Sequence, residues 1–436
     1  IDRAKGSTYN STKSYYVGTP TPRPWFPFAS HGNFQELIPS IEDEYPYSAK
    51  VLITYWNAWP YSVPGGKATW ERTVSDEVKL PLFVAISPVM GEVPAWADYI
   101  LPDSTFLEKW SWAGGNAAIP IKVSPMQQPV VGKYDGVTIG GTNSWTFNPA
   151  ATHEYTPFLP DTKMHADIFV GLAKAISSSY PGVGTDAFGS GKHFDRAWDM
   201  YKHELKNVSL GSGMTEQDIV DRGGAFADPG TAYDSANSNL LKNKYGAVLH
   251  FYIQSLALGV DTITGQKYSG TALYKPVSHA DGTEVDDVNF PMHLVTYKSV
   301  LHGQARTNVN PWLMAIQPEN FVDIASADAR TLGIETCDNV KVISASNPVG
   351  LVGKAKVTEG LRPGVVAISH HFGHWENSAK AYTLDGKNAS YDSSRGAGIT
   401  ANPIMRLDDY TGNVSLQDPI GGSCSFSDTK VRIERV

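Results

Sequence analysis

The chain has 436 residues, more than the ~250–300 at which a single hydrophobic core stops growing, so two domains are expected. Hydrophobic residues at 41% and charged residues at 18% exclude a disordered chain. A net charge of −8 with no basic run argues against a nucleic-acid partner, because phosphate neutralisation needs clustered Lys and Arg.

In chain order, residues 1–48 are rich in Pro, Tyr and Ser, and "TPTPRPWFPF" (19–28) is restricted to extended or turn backbone. The opening "IDRAKGSTYN" is neither an initiator Met nor a signal peptide, so a processed chain, a fragment or one piece of a larger protein is expected. "AKVLITYWN" (49–57) reads as a buried strand, "KATWERTVSDEVK" as a helical link, and "LPLFVAIS" (80–87) and "ADYILP" (97–102) as two further strands. Apolar strands joined through a helix predict a parallel α/β sheet, whose ligands sit beyond the carboxyl ends of the strands. The loops "NAWPYSVPGG" and "SPVMGEVPAW" hold that place.

Residues 111–160 read as a long irregular excursion. "KMHADIFVGLAKAI" (163–176) predicts an amphipathic helix with Met164, Ile168, Phe169, Leu172 and Ile176 on its apolar face. Helical patches are expected near 194–206 and 245–258. The longest apolar run, "YGAVLHFYIQSLALGV" (245–260), falls short of the ~18 residues needed to cross a bilayer and reads as a core helix. "SHADGTEVDD" (278–287) reads as a linker. Beyond it come "FPMHLVTYKS", "FVDIAS", "NVKVISAS", "VGLVGKAKVT" and "GVVAISHH", short β runs that predict a compact barrel, with "SADARTLGI" a small helix between them. Two domains follow: 1–285, a partial α/β domain with irregular insertions, and 286–436, a β-barrel domain. Cys337 and Cys424 are too far apart for a CxxC site, and either a disulfide or two free thiols fits.

Several of these segments resemble one family. "ADYILPDSTFLEKW" (97–110), "ENFVDIASADARTLGIETCDNVKVIS" (319–344) and "GKAKVTEGLRPGVVAI" (353–368) are similar to molybdopterin-dependent oxidoreductases of the dimethyl sulfoxide reductase family. The usual Gly-Asp turn is replaced here by Cys337-Asp338-Asn339, which makes Cys337 a turn variant. Within the family, "RPWFPF…YPYSAKVLITYWNAWPYSVPGG" (23–66), "PMQQPVV" (125–131) and "GHW" (373–375) are most like the large subunits of tetrathionate reductases, with arsenate and polysulfide/thiosulfate reductases nearby.

The resemblance implies part of the family's third domain followed by a double-psi-type β-barrel that binds molybdopterin dinucleotide. It implies a bis-molybdopterin guanine dinucleotide with Mo or W, and a [4Fe-4S] cluster and metal ligand on an N-terminal part of the same catalytic subunit. It also implies a ferredoxin-like iron–sulfur subunit, a membrane quinol-oxidising anchor, an extracytoplasmic site and a small inorganic substrate, tetrathionate first. Arsenate, polysulfide or thiosulfate is the alternative, and a non-catalytic secreted binding protein the rival from another class.

A long, polar, multiply charged cofactor must find a partner for each heteroatom. By resemblance its contacts fall on Asn57, on Thr296, Lys298, Ser299, His302, Gln304, Arg306 and Thr307 of "TYKSVLHGQARTN", and on Asn402, while Ser87 is a candidate from its place at the end of the second strand. Arg306 suits a pyrophosphate because its planar fork can bind two oxygens. Read alone, Asn57 also fits a helix cap, and Asp98 the fixing of a turn. "SHHFGHW" (369–375) places His370, His371, His374 and Trp375 at a strand exit. Its imidazoles can both donate and accept, and Gly373 permits close backbone approach. They are expected to touch the cofactor or its funnel, with no metal ligand among them.

Overall fold

A computed structural model describes residues 23–24, 26–28, 33–45, 48–112, 123–134, 137–139, 155–159, 161–179, 194–226 and 251–436. The chain divides into two compact units. The first comprises Ile1–Ala85, Val89–Tyr99 and Phe251–Val436, the second Ile86–Pro88 and Ile100–His250.

Strands β1 (Leu52–Tyr55), β2 (Phe83–Ser87) and β3 (Tyr99–Pro102) form a sheet in that order. Asp98 N–H donates to the Phe83 carbonyl (2.9 Å) and Asp103 N–H to that of Ser87 (3.2 Å). These bonds advance along β2 and β3 together, which is parallel pairing. Asp98 is structural: its carboxylate accepts the Phe83 N–H at 2.7 Å. The helix Gly66–Val74 buries Trp70 and Val74 against Leu52, Phe83 and Ala85. Trp70 stacks on Trp59 (6.0 Å between centroids) and meets Phe83 edge-on (5.6 Å). Gly65 opens this helix at φ +66°, where a Cβ would lie 2.5 Å from Leu407 Cδ2, so the turn presses on the C-terminal part of the chain.

The second unit carries short strands β4 (Ser111–Trp112), β5 (Val123–Gln127), β6 (Gly132–Tyr134), β7 (Val137–Ile139), β8 (Tyr155–Thr156) and β9 (Gly224–Phe226). The expected irregular excursion thus contains small antiparallel pairings, β4–β5 and β6–β7 among them. Its helices are His165–Ser179, Ala197–Ser212 and Glu216–Arg222. The first was expected to bury Phe169 and Ile176, yet these are 38% and 46% exposed. Met164, Ala166, Ile168 and Val170 are the buried residues. The helix meets Ala197–Ser212 near its N-terminus, where Asp167 Oδ1 accepts the Ala197 N–H (2.7 Å), and that contact sets which face is covered.

The barrel is closed by six strands in the order β10 (Met292–Tyr297), β14 (Val365–Ser369), β11 (Val322–Ala325), β13 (Leu351–Thr358), β12 (Asn339–Ser344), β17 (Thr429–Arg435). The β10–β14 and β11–β13 pairs are parallel, the others antiparallel. Alternate residues fill the interior: Leu294, Val322, Ile324, Val340, Val342, Val366, Ile368 and Val431 are fully buried, at about 1.5–3 kcal/mol for each large aliphatic chain. β15 (Tyr382–Leu384) and β16 (Lys387–Ala389) form a separate hairpin. The helix Ser326–Leu332 ends at Gly333 with φ +64°. Cys337 occupies a turn at φ +76°, and both cysteines are free thiols.

Two sequence expectations change here. Residues 245–250 lie outside the described residues, and of 251–260 only Gln254–Ala257 is helical, with Phe251 and Leu258 strongly exposed. Within 251–260 the helix is a single turn, and Leu256 is its buried residue. The expected linker 278–287 is bolted down instead. His279 and Asp287 are buried, Asp408 Oδ2 accepts the Ala280 N–H (2.7 Å), and Arg406 pairs with Asp287 (3.3 Å).

Candidate cofactor-binding site

The parallel register of β10 with β14 runs to Tyr297 opposite Ser369, so both strands leave the barrel at the same end. The segments that follow, 298–307 and 370–375, are thereby brought side by side. Asn320 fixes this exit: its amide donates to the Ser369 (2.7 Å) and Ile399 (2.8 Å) carbonyls and its oxygen accepts the Ile399 N–H (2.8 Å). Gly373 sits at φ +73°, where a Cβ would lie 2.3 Å from Thr400 N and 2.4 Å from Ile399 C. No larger residue fits that crossing without moving the backbone.

The histidines have separate tasks. His371, 1% exposed, accepts the Ser299 N–H at Nε2 (2.8 Å) and therefore donates from Nδ1 to the Gln304 carbonyl (2.6 Å). Burial is the main cause holding its pKa below the usual histidine range, reinforced by His302 and Lys298 and opposed by the Gln304 bond. His302 is also buried, its Nε2 on the Gln317 carbonyl (3.1 Å) and its Nδ1 on Thr307 Oγ1 (2.9 Å). His370 reaches Gln304 Oε1 through Nε2 (2.9 Å), and burial, then His371 and Lys298, lower its pKa. His374 lies within 2.5 Å of Glu92 Oε1 through Nδ1, both side chains almost wholly buried. Its ring stacks on Tyr61 at 3.9 Å and 5°.

Tyr61 links these elements. Its hydroxyl donates to the Phe372 carbonyl (2.6 Å), its own carbonyl accepts from Asn402 Nδ2, and Gly65 N–H donates to the Asn402 carbonyl (2.6 Å). Burial, with Glu92 close by, pushes the phenol pKa far up, so it stays protonated.

These elements enclose a pocket of about 520 Å³ lined by Trp56, Ala58, Tyr61, Ser62, Thr296, Gln304, Ala305, Arg306, His370, Asn402 and Phe426. Among the described residues no carboxylate lines it. Asn402 Oδ1 is buried there with no hydrogen-bond partner among the described residues, and Ser369 Oγ is buried likewise. Of the residues singled out in the sequence, Thr296, Gln304, Arg306, His370 and Asn402 line the pocket. Ser299, His302, Thr307 and His371 brace its wall. His374 and Trp375 pack on Tyr61. Lys298 is exposed beside them. Asn57 Oδ1 accepts the Trp59 N–H (2.7 Å), fixing the turn just ahead of the helix Trp59–Ser62, whose cap position is Ala58. Ser87 belongs to the second unit, where its carbonyl accepts the Asp103 N–H.

The site residues not singled out beforehand are Trp56, Ala58, Ala305 and Phe426, whereas Tyr61 and Ser62 belong to the loop after the first strand that the sequence marked. Trp56 is at φ +47° at the end of β1, a strand end whose loop was already marked; Phe426 gave no local signal.

A closed six-strand barrel with a pocket at one end, lined among the described residues by Arg306, Asn402, Gln304, His370 and hydroxyl groups, is the architecture of a ligand-binding module. Residues 292–418 match the molydopterin dinucleotide binding domain. The chain is 34% identical over 97% of its length to a selenate reductase subunit of Mesobacillus selenatarsenatis, covering 43% of that protein. It is 28% identical over 96% of its length to a tetrathionate reductase subunit of Salmonella typhimurium, covering 42% of that one. Among solved structures, acetylene hydratase from Pelobacter acetylenicus shares the fold, with a TM-score of 0.53 at 13% identity over 92% of this chain and 46% of that one. The chain belongs to the dimethyl sulfoxide reductase family of molybdopterin oxidoreductases, and it spans less than half the length of the curated relatives it matches.

Proposed function

We propose that the chain is the cofactor-clamping part of a bis-molybdopterin guanine dinucleotide enzyme, with Mo or W, that reduces a small inorganic oxyanion in anaerobic respiration. The observation that carries this reading is the pocket at the barrel exit. Arg306 brings a planar cationic fork, Thr296 and Ser62 bring hydroxyls, and Asn402 Oδ1 is a buried acceptor with no partner among the described residues. Such a set suits a ligand with a phosphate-bearing chain and ring N–H groups. When bound, the cofactor supplies the electron and atom-transfer chemistry. The chain's own residues bind and orient it: Arg306 takes the anionic part, Asn402 accepts from a ring amino group, and Tyr61 and the histidines hold these groups in place.

For the substrate, the segment likeness favours tetrathionate, while the 34% identity to a selenate reductase, against 28% for a tetrathionate reductase, brings selenate level with it. An arsenate respiratory reductase of Shewanella, 24% identical in its molybdopterin-containing subunit, is a more distant relative. The relatives are named as subunits, which supports partners: the rest of the catalytic subunit with its [4Fe-4S] cluster, a membrane anchor on the extracytoplasmic side and a ferredoxin-like iron–sulfur subunit.

The test is metal analysis of the native assembly, with pterin fluorescence after oxidative denaturation. An assembly without Mo, W and pterin refutes the reading. Reduced-viologen oxidation with selenate, tetrathionate, arsenate, thiosulfate and polysulfide then ranks the substrates.

A further inference from the structure

The buried histidines at the barrel exit differ in how their ring nitrogens are used. His371 engages both, with the Ser299 N–H and the Gln304 carbonyl. His302 also engages both, with Thr307 and the Gln317 carbonyl. His374 engages only Nδ1, on Glu92 Oε1 at 2.5 Å. Its Nε2 is buried with no hydrogen-bond partner among the described residues. A buried polar atom left unmet costs roughly 1–3 kcal/mol. An imidazole that served only to tie loops together would fill both positions, as the other two do. Nε2 is therefore the atom kept for a ligand.

The surroundings suit a proton at that atom. The Glu92 and His374 side chains are 3% and 2% exposed, and a carboxylate on one ring nitrogen favours a proton on the other. Tyr61, which lines the pocket, stacks on the imidazole and fixes its plane. His374 thus stands one ring behind the pocket wall. On its other side, the Ser378 N–H donates to the Met90 carbonyl (2.6 Å), which holds 376–382 against the loop that carries Glu92. Glu376 there pairs with Lys380 (3.1 Å) and accepts from the Tyr382 hydroxyl. Burial, then Glu376, then Glu92 push the Tyr382 phenol pKa up, so it keeps its proton. Lys380 is largely exposed, so groups able to carry a proton run from solvent towards Glu92. The further cation near the loop is Lys67, 5.2 Å from the centre of the Trp375 ring.

We propose that His374, held by Glu92, is the general acid of the reaction, and that the substrate is an oxyanion that gives up an oxygen. This rests on the reading of the chain as part of an oxyanion reductase, and it sharpens the substrate class. In the charged pair, Nδ1–H stays on the Glu92 carboxylate and the Nε2 proton goes to the departing oxygen. The N–H bond breaks, its electron pair stays on nitrogen, and a proton from the Glu376 side restores the pair. Removal of an oxygen as water takes up two electrons from the reduced donor and two protons, delivered in turn by the same pair. The bond from the central atom to oxygen breaks and the central atom is reduced. Tetrathionate reduction breaks one S–S bond, places two electrons on two thiosulfates and consumes no proton. A buried proton donor serves the first reaction and has no task in the second.

The test uses the native holoenzyme, with pterin measured in every sample. Selenate binding without reductant is followed by calorimetry at about pH 8.5, where a free imidazole is unprotonated. Buffers of different ionisation heat then count the protons taken up. Wild type should take up about one proton per selenate, and H374Q and E92Q far less. With reduced viologen, H374Q should lower kcat for selenate by about 100- to 10,000-fold, and E92D should be more active than E92Q. Wild type should reduce selenate or arsenate with a higher kcat/KM than tetrathionate. No proton uptake by wild type, or uptake unchanged in both variants, overturns the proposal and leaves the functional reading standing. The wild-type count decides even where the variants fail to assemble. A preference for tetrathionate overturns the substrate class. Assembled variants that both lose pterin assign the pair to cofactor retention, which also overturns the proposal. A pterin-free wild-type assembly overturns the functional reading itself.

Discussion

Replacing His371 with Ala tests the barrel-exit geometry most directly. The imidazole is 1% exposed and joins two main-chain groups of another segment, the Ser299 N–H and the Gln304 carbonyl. Removing it leaves both without a partner, at roughly 1–3 kcal/mol each. Ser299 is half-buried and Gln304 exposed, so water recovers part of this, and a net cost of about 2–4 kcal/mol is expected. At one decade per 1.4 kcal/mol, the Ser299 amide should exchange roughly 30- to 1000-fold faster in the variant protein. The readout is amide hydrogen exchange by mass spectrometry across 298–317. A second arm uses pH. With Nδ1 donating, protonation at Nε2 would set an N–H against the Ser299 N–H, in keeping with the downward pKa shift that burial causes. A folded-state pKa below the unfolded ~6.5 means the unfolded state binds the proton more readily. The stabilisation is therefore complete above about pH 6.5 and is lost as pH falls towards the folded-state pKa, by at most ~1.4 kcal/mol per pH unit. H371A should abolish its share of that slope. An opening free energy at Ser299 that is the same in wild type and variant, or flat between pH 7 and 5.5 in wild type, would refute the reasoning.

Three further outcomes follow from the same geometry. G373A should lower stability by about 2–4 kcal/mol, combining left-handed backbone strain with overlap on the Thr400 and Ile399 backbone; an unchanged denaturant midpoint of the protein contradicts this. N320A orphans the Ser369 and Ile399 carbonyls and the Ile399 N–H, and should cost about 3–5 kcal/mol, read as accelerated exchange at Ile399. R306A should weaken cofactor retention by roughly 10- to 100-fold, as expected for losing a charge-assisted bond, and R306K should recover only part of it because Lys lacks the fork. Pterin content after dialysis distinguishes the three proteins, and equal content in all of them removes Arg306 from the binding set.

Five of the six barrel strands were legible because their alternation is local: Leu294, Val340 and Val366 each sit two residues from another core residue. β17 carries the same pattern in Thr429, Val431 and Ile433, but it closes the barrel against β10 and β12, far away in sequence, and no local cue announces such a partner. The helix His165–Ser179 shows the opposite failure. Its periodicity was clear, yet which face it buries was decided by the helix beginning at Ala197. At the site, Thr296, Gln304, Arg306, His370 and Asn402 were marked in the sequence by resemblance. Trp56 and Phe426 were not, because their place in the pocket depends on where a strand end and a loop more than 300 residues later are carried by the fold.

The stretch "SHHFGHW" shows why identity was easier to read than role. Three histidines in five positions invite a shared ligand, but side-chain geometry assigns each to a different protein group. His370 faces Gln304 Oε1, His371 is saturated by two main-chain groups, and His374 is committed at Nδ1 to Glu92, 282 residues earlier. A metal would have to displace the Ser299 N–H or the Gln304 carbonyl to reach His371, stripping that group of its partner. The imidazoles instead give one loop several fixed attachments: three hydrogen bonds to the 298–307 segment and one to the loop after β2. The turn at Gly373 is what lets His371 and His374 point to different elements, since only glycine tolerates both its φ of +73° and the Thr400 backbone at that distance. Rigidity at the barrel exit is therefore the common product of the three histidines. It is also what a pocket needs if Arg306 and Asn402 are to meet an extended ligand at fixed positions.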